Sequence, residues 1–203
     1  MEQPKRCALL IALMLAGACA PDDRAAGAGE QGAASDPQQA FWSGLAQLCG
    51  RAYQGEIVAS APAGADDDFA GQEMVMHVRE CEEDVIRIPF HVGDDRSRTW
   101  VISRTADGLR LKHDHRHEDG SPDEITMYGG DTSDQGTATT QEFPADAETA
   151  AMLPAAATNV WTVGVQPGRT FTYELRREGT GRLFRVAFDL TEPVPAPSAP
   201  WGS

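Results

Sequence analysis

A chain of 203 residues with 41% hydrophobic and 24% charged side chains suits one domain with a short appendage, and its composition excludes wholesale disorder and a many-spanning membrane protein. Its 31 Asp and Glu outnumber 17 Lys and Arg, giving a formal net charge of −14. So acidic a surface repels phosphate backbones and anionic lipid faces, which excludes nucleic acid as a partner.

Lys5 and Arg6 precede an apolar run from Cys7 to Leu15 and then small residues, the pattern of a secretory signal peptide over residues 1–18. The run falls short of the roughly 20 apolar residues that span a bilayer, so the leader is expected to be removed. Leu15-Ala16-Gly17-Ala18-Cys19 resembles the lipobox of bacterial lipoproteins, which implies that Cys19 is lipidated on sulfur and becomes the new N-terminus. Ala20 follows it where inner-membrane retention would call for Asp, which points to an outer-membrane lipoprotein facing the periplasm or the surface. Cleavage without lipidation would instead leave a soluble periplasmic or secreted protein. Glu2, Lys5 and Arg6 leave with the leader, so the mature chain carries about −15. Residues 19–36, rich in Ala, Gly and acidic side chains without apolar periodicity, read as a flexible tether, with the lipid as the only hold on the membrane.

A helix is expected from Asp36 to Tyr53, with Asp36 as cap, Pro37 in the first turn, and Phe41, Leu45, Leu48 and Ala52 on one face. Beyond it the apolar spacing changes to two. Strands are predicted at 56–61, 73–81, 85–92, 99–105, 109–117, 125–128, 137–143, 160–165, 170–176 and 183–190, parted by short links rich in Gly, Asp or Pro. Links this short permit hairpins and forbid parallel crossovers, so the sheet is an antiparallel meander. Residues 144–158, with DAETAAML, have room for a short helix. From Pro193 to Ser203 Pro alternates with small residues, as in an extended tail, which leaves 37–192 as the folded domain. About ten meandering strands would expose two edges unless the sheet closes on itself, so an all-β, up-and-down barrel is predicted.

Of the cysteines, Cys7 lies in the leader and Cys19 is the lipid acceptor, leaving Cys49 and Cys81 in an oxidising compartment. Their disulfide would close a loop of about 33 residues and contribute roughly 3 to 4 kcal/mol.

A short helix followed by about ten up-and-down strands, over residues 40–190, resembles the calycin class of lipocalins, fatty-acid-binding proteins and nitrobindin-like barrels. The Gly-x-Trp of the first lipocalin strand is missing, since Trp42 precedes Gly44 on the helix, and no His after His117 supplies the late haem ligand of the nitrobindin-like proteins. The stretches IRIPFHVGDDRSRTWV, LRLKHDHRHEDGS, MYGGDT and FPAD are also similar to an uncharacterised family of bacterial secreted proteins, which implies no activity.

The densest chemistry lies in Leu109-Arg110-Leu111-Lys112-His113-Asp114-His115-Arg116-His117. On a strand, alternate side chains share a face, so His113, His115 and His117 continue the face of Leu109 and Leu111. Two or three such imidazoles can meet one borderline metal, and zinc is the first candidate. The alternative is a strand that leaves the barrel here and merely displays its His residues. Arg79, Arg87, Arg96, Arg98, Arg104, Arg110 and Arg116 form a local reversal of charge, read as an anion patch or as outward cross-strand pairs. In the second reading Met74, Met76, Ile86 and Ile88 face the core while His77, Arg79, Arg87 and His91 lie outside. Trp100, Trp161, Tyr128, Phe171, Tyr173, Phe184 and Phe188 are placed as core or as the lining of a cavity.

Nucleophile-elbow, dinucleotide, P-loop and zincin motifs are absent, and Asp131 and Asp134 lack EF-hand spacing. The sequence therefore leaves catalysis open without favouring it, and no cofactor is expected. The leading expectation is an envelope-anchored barrel binding a small apolar or amphipathic molecule, since closed meanders of this size commonly enclose one cavity. A metal site or metal-dependent enzyme on the His strand, and a filled barrel acting as an interaction module, are the alternatives.

Overall fold

The computed structural model describes residues 36–203. The leader, Cys19 and the tether up to Ser35 lie outside the described residues.

Asp36 caps the first helix, α1 (Pro37–Ala46), by accepting the Gln38 N–H at 2.9 Å, and Pro37 occupies the first turn, where its missing donor costs nothing. The helix ends earlier than the apolar spacing implies. Gly50, at φ +79°, swings the chain out of the helix, and its N–H already bonds Val78 O at 2.7 Å in the sheet.

The described residues then form eleven antiparallel strands: β1 (Ala52–Ala61), β2 (Met74–His77), β3 (Glu80–Cys81), β4 (Val85–Val92), β5 (Asp95–Thr105), β6 (Gly108–His115), β7 (Tyr128–Asp131), β8 (Thr140–Pro144), β9 (Asn159–Gln166), β10 (Thr170–Arg177) and β11 (Arg182–Asp189). A second helix, α2 (Ala147–Met152), follows β8. Neighbours run β7-β6-β5-β4-β2-β1-β11-β10-β9-β8, with β3 pairing β4 beside this path. Because the first strand pairs with the last, the meander wraps into a nearly closed all-β barrel whose seam lies between β7 and β8.

That seam is bridged by the start of α2. Asp146 N donates to Gly129 O at 3.0 Å, and Thr149 Oγ1 receives the Gly129 N–H at 2.7 Å while donating to Gly129 O at 2.8 Å. Lys112, on the outer face of β6 yet 7% exposed, reaches Asp146 at 2.8 Å and Glu148 at 3.2 Å. Burial would raise the Asp146 carboxyl, but hydrogen bonds from Lys112 and Thr149 hold it below the ordinary Asp value. Gly129 and Gly130 are required by proximity: a Cβ on the first would collide with Leu111 O, and on the second with Pro144 O.

Inside, alternate residues of the strands interdigitate: Ile86, Ile88 and Phe90 of β4, Trp100 and Ile102 of β5, Phe171 of β10, and Val186 and Phe188 of β11. Helix α1 closes one end. Phe41 and Leu45, both fully buried, join the barrel core, Gly44 lies against Pro167, and Arg104 stacks on Trp42 at 4.7 Å. The Cys49–Cys81 disulfide ties the chain leaving this helix to β3.

Several expected boundaries shift. The strand expected over 73–81 divides into β2 and β3: both pair with β4, but only β2 is also paired with β1. The strand expected at 125–128 begins at Tyr128 and runs through Gly129, which lies close against Leu111 of β6, and Gly130, which permits an approach to Pro144 of β8 that larger residues forbid. The strand expected over 109–117 stops at His115. The Pro-rich tail is extended but docked: Val194 N bonds Ala52 O at 2.9 Å, and Trp201 N bonds Arg96 O at 3.1 Å.

The close approach at the seam gives a direct test. Gly130→Ala should lower stability by about 2 to 3 kcal/mol, as forced overpacking does, measured by urea unfolding. Gly44→Ala, whose Cβ would sit 3.5 Å from Pro167 in ordinary contact, should be neutral or stabilising by up to about 1 kcal/mol.

Candidate functional site

At the end of the barrel opposite α1, the β1–β2 link folds inward through a single 3₁₀ turn, Asp67–Phe69. Its Phe69 ring lies 5.4 Å from Phe184 and 6.5 Å from Phe90. Asp66, 8% exposed, holds the link down with two bonds to Arg182, at 2.5 and 2.9 Å, and accepts a third from Ser60 at 2.6 Å. Across the mouth Arg98 sits 5.2 Å above Phe69 and bonds Asp95 at 2.6 Å. Burial would raise Asp95, yet its bonds with Ser97 and Arg98 keep it below the ordinary carboxylate value. Both rim cations are thus matched by carboxylates.

Beneath this lid lies a cavity of about 150 Å³. Its deep wall is a stack of aromatic rings, with Trp100 4.8 Å from Phe90 on one side and 4.4 Å from Tyr173 on the other, each pair within 20° of parallel. Beside this stack, on the neighbouring strand β6, stand His113 and His115, the register partners of Trp100 and Arg98, followed by Tyr128 of β7, and Thr99, Leu175 and Phe184 also line the space.

The polar atoms of this wall pair with one another. His113, 3% exposed, approaches Tyr128 O with Nδ1 at 3.0 Å and Tyr173 Oη with Nε2 at 2.8 Å. A carbonyl can only accept, so Nδ1 carries the proton, Nε2 is bare, and the Tyr173 hydroxyl donates to it. Burial pushes His113 down to about 3 and Tyr173 well above the usual tyrosine value, so both stay neutral across the ordinary pH range. His115 Nε2 lies 3.2 Å from Tyr128 Oη, and burial, with the Arg98 charge, lowers the imidazole while burial pushes Tyr128 up to about 12.

Of the three His residues expected to share a face, His113 and His115 do so, both lining the cavity, and only His117 departs. His113 is inside the barrel, His115 is at the cavity edge, and His117 lies beyond the strand end with its backbone N–H on Ser121 O at 2.9 Å. Both ring nitrogens of His113 are engaged, so a metal there would have to displace a bond. Among the described residues no group of three His, Cys, Asp or Glu side chains is placed to hold a metal ion. The Met and Ile faces do form the core, and Arg87 makes an outer pair with Glu82 at 3.0 Å. His91 lies outside the barrel wall as expected but is only 5% exposed, because the C-terminal tail with Trp201 covers that face.

Asp66, Phe69, Arg98 and Arg182 were not distinguishable as a site from spacing alone. A lone Phe in the Gly- and Asp-rich 62–72 link was the available signal, since a loop that is merely solvated has no use for an aromatic ring. Comparison with family models, with curated proteins and with solved structures gives no match for this chain.

The buried imidazole sets a pH dependence. Above pH 6.5 His113 is neutral folded or unfolded; between 6.5 and about 3 the unfolded chain takes up a proton that the folded chain refuses. Stability therefore falls as pH drops, by up to about 1.4 kcal/mol per unit for this group. His77, His91 and His115, also lowered by burial, add in the same sense. His113→Leu should flatten the pH slope of urea-unfolding stability between about pH 6 and 4.5 by roughly one proton. An unchanged slope would mean that His113 titrates normally.

Proposed function

We propose that this chain is an envelope-anchored lipoprotein whose barrel binds a small molecule with a single apolar or amphipathic ring in the cavity beneath the β1–β2 lid. The observation that carries this reading is the partly enclosed, aromatic-lined space of about 150 Å³, walled by Trp100 and Tyr173 and covered by Phe69. An apolar cavity of about that size accepts a benzene-sized guest, whereas drug-sized pockets run from about 300 Å³ upward, so a long acyl chain or a haem is too large. Charge supports the same conclusion, because the rim arginines are already paired with Asp66 and Asp95. The anchor rests on Cys19 in its lipobox-like context and on the tether that would leave the barrel free of the bilayer surface.

Titration of the mature domain with toluene, followed by calorimetry and by intrinsic tryptophan fluorescence, should give saturable binding with a dissociation constant of about 0.1 to 1 mM, a reasonable affinity for so few atoms. Leu175→Trp, which places a large ring at the cavity wall, should abolish it while the circular dichroism stays strand-dominated. Toluene binding that survives this substitution, or that never saturates, would remove the cavity from consideration.

The anchor is tested separately. Cys19→Ser should move the protein from the membrane fraction of its host to the soluble periplasm, because no other acyl attachment is expected. Unchanged fractionation would rule out lipidation at Cys19.

A further inference from the structure

The hydrogen-bond geometry of the cavity wall specifies more than size. His113 Nδ1 faces Tyr128 O at 3.0 Å and its Nε2 faces Tyr173 Oη at 2.8 Å. The carbonyl fixes the proton on Nδ1, and the bare Nε2 then takes the only proton of the Tyr173 hydroxyl. Tyr173 is consequently left with lone pairs and no donor. A hydroxyl that would ordinarily serve either polarity has been made a one-way acceptor by a residue behind it.

The rest of the lining does not reverse this polarity. Phe90, Phe184 and Leu175 offer neither donor nor acceptor, the Trp100 indole N–H is directed at the Tyr173 hydroxyl, and the Tyr128 hydroxyl is paired with His115 Nε2 at 3.2 Å. At the rim Arg182 spends its donors on Asp66, Ala61 O and Leu183 O, while Arg98 is paired with Asp95 and packed over Phe69. A charged guest would lose its hydration without meeting an unpaired opposite charge.

Resting on the reading of this cavity as a small-ring site, we infer that its ligands are uncharged aromatic molecules carrying an O–H or N–H donor, of the phenol type, and that His113 is the residue that sets this preference by consuming the Tyr173 proton. His113 is a positioning residue here. It selects through Tyr173.

The test compares ligands of nearly equal size. Calorimetric titration with phenol, toluene, benzaldehyde and benzoate reads, in turn, a donor, no polar group, an acceptor without a donor, and an anion. The wild-type domain should bind phenol roughly tenfold more tightly than toluene, the worth of one buried hydrogen bond, with benzaldehyde no better than toluene and benzoate weakest. In His113→Leu the Tyr173 proton is released toward the cavity, and benzaldehyde should gain about tenfold on toluene. If that variant does not fold, nitrogen-15 NMR of wild-type His113 decides the point, since the inference requires a protonated Nδ1 and an unprotonated Nε2. Failure of all four compounds to bind would sink the small-ring reading itself. Toluene binding as tightly as phenol, preference for benzaldehyde or benzoate in the wild type, or a proton on Nε2 would overturn this inference and leave the cavity reading standing.

Discussion

The contact on which the barrel depends is the one between Gly129 and Gly130 of β7 and the chain that follows β8. A sheet that wraps round must satisfy the backbone groups of its last two strands, and unpaired buried N–H and C=O groups are costly. Here the two strands do not form a regular ladder. Thr149 satisfies both backbone groups of Gly129, Asp146 supplies a further N–H, and Lys112 fixes Asp146 from the β6 side. Each of these groups has two duties, since Asp146 also caps α2 through the Thr149 N–H at 2.8 Å. The seam and the start of α2 therefore share the same hydrogen-bonding groups.

Closing the seam also builds the wall of the cavity. Tyr128 is the first residue of β7, and its carbonyl is the group that orients His113 while its ring stacks on the imidazole at 4.6 Å. Displacement of β7 would move that carbonyl and release the His113 tautomer. Stability and polarity of the site are in this way coupled through one strand of four residues, Tyr128–Asp131.

The two ends of the barrel are treated differently for a physical reason. At the α1 end, apolar helix residues fill the barrel interior. At the other end the cover is a loop held by ion pairs and one aromatic ring, contacts that can break and reform more readily than a packed helix. The cavity thus lies at the end whose cover is held by the fewest packed contacts.

Much of the architecture was legible in the sequence. Period-two alternation in Val85–Val92 and Thr170–Arg177, the Asp36-Pro37 cap, and short Gly- and Asp-rich links together determine antiparallel hairpins and an all-β barrel, because each rests on interactions between near neighbours. Cys49 and Cys81 were likewise determined once the leader was set aside, and the face shared by Leu109, Leu111 and His113 follows from strand geometry alone. What tertiary structure decided is everything that joins distant segments: that Gly129 is a seam residue instead of a turn, that His91 lies beneath the tail, that Asp66 meets Arg182, and that His113 faces Tyr173 rather than a metal-ready neighbour. Spacing along one strand gives the direction of a side chain, whereas the identity of its partner depends on which other strand the closed sheet brings across the interior.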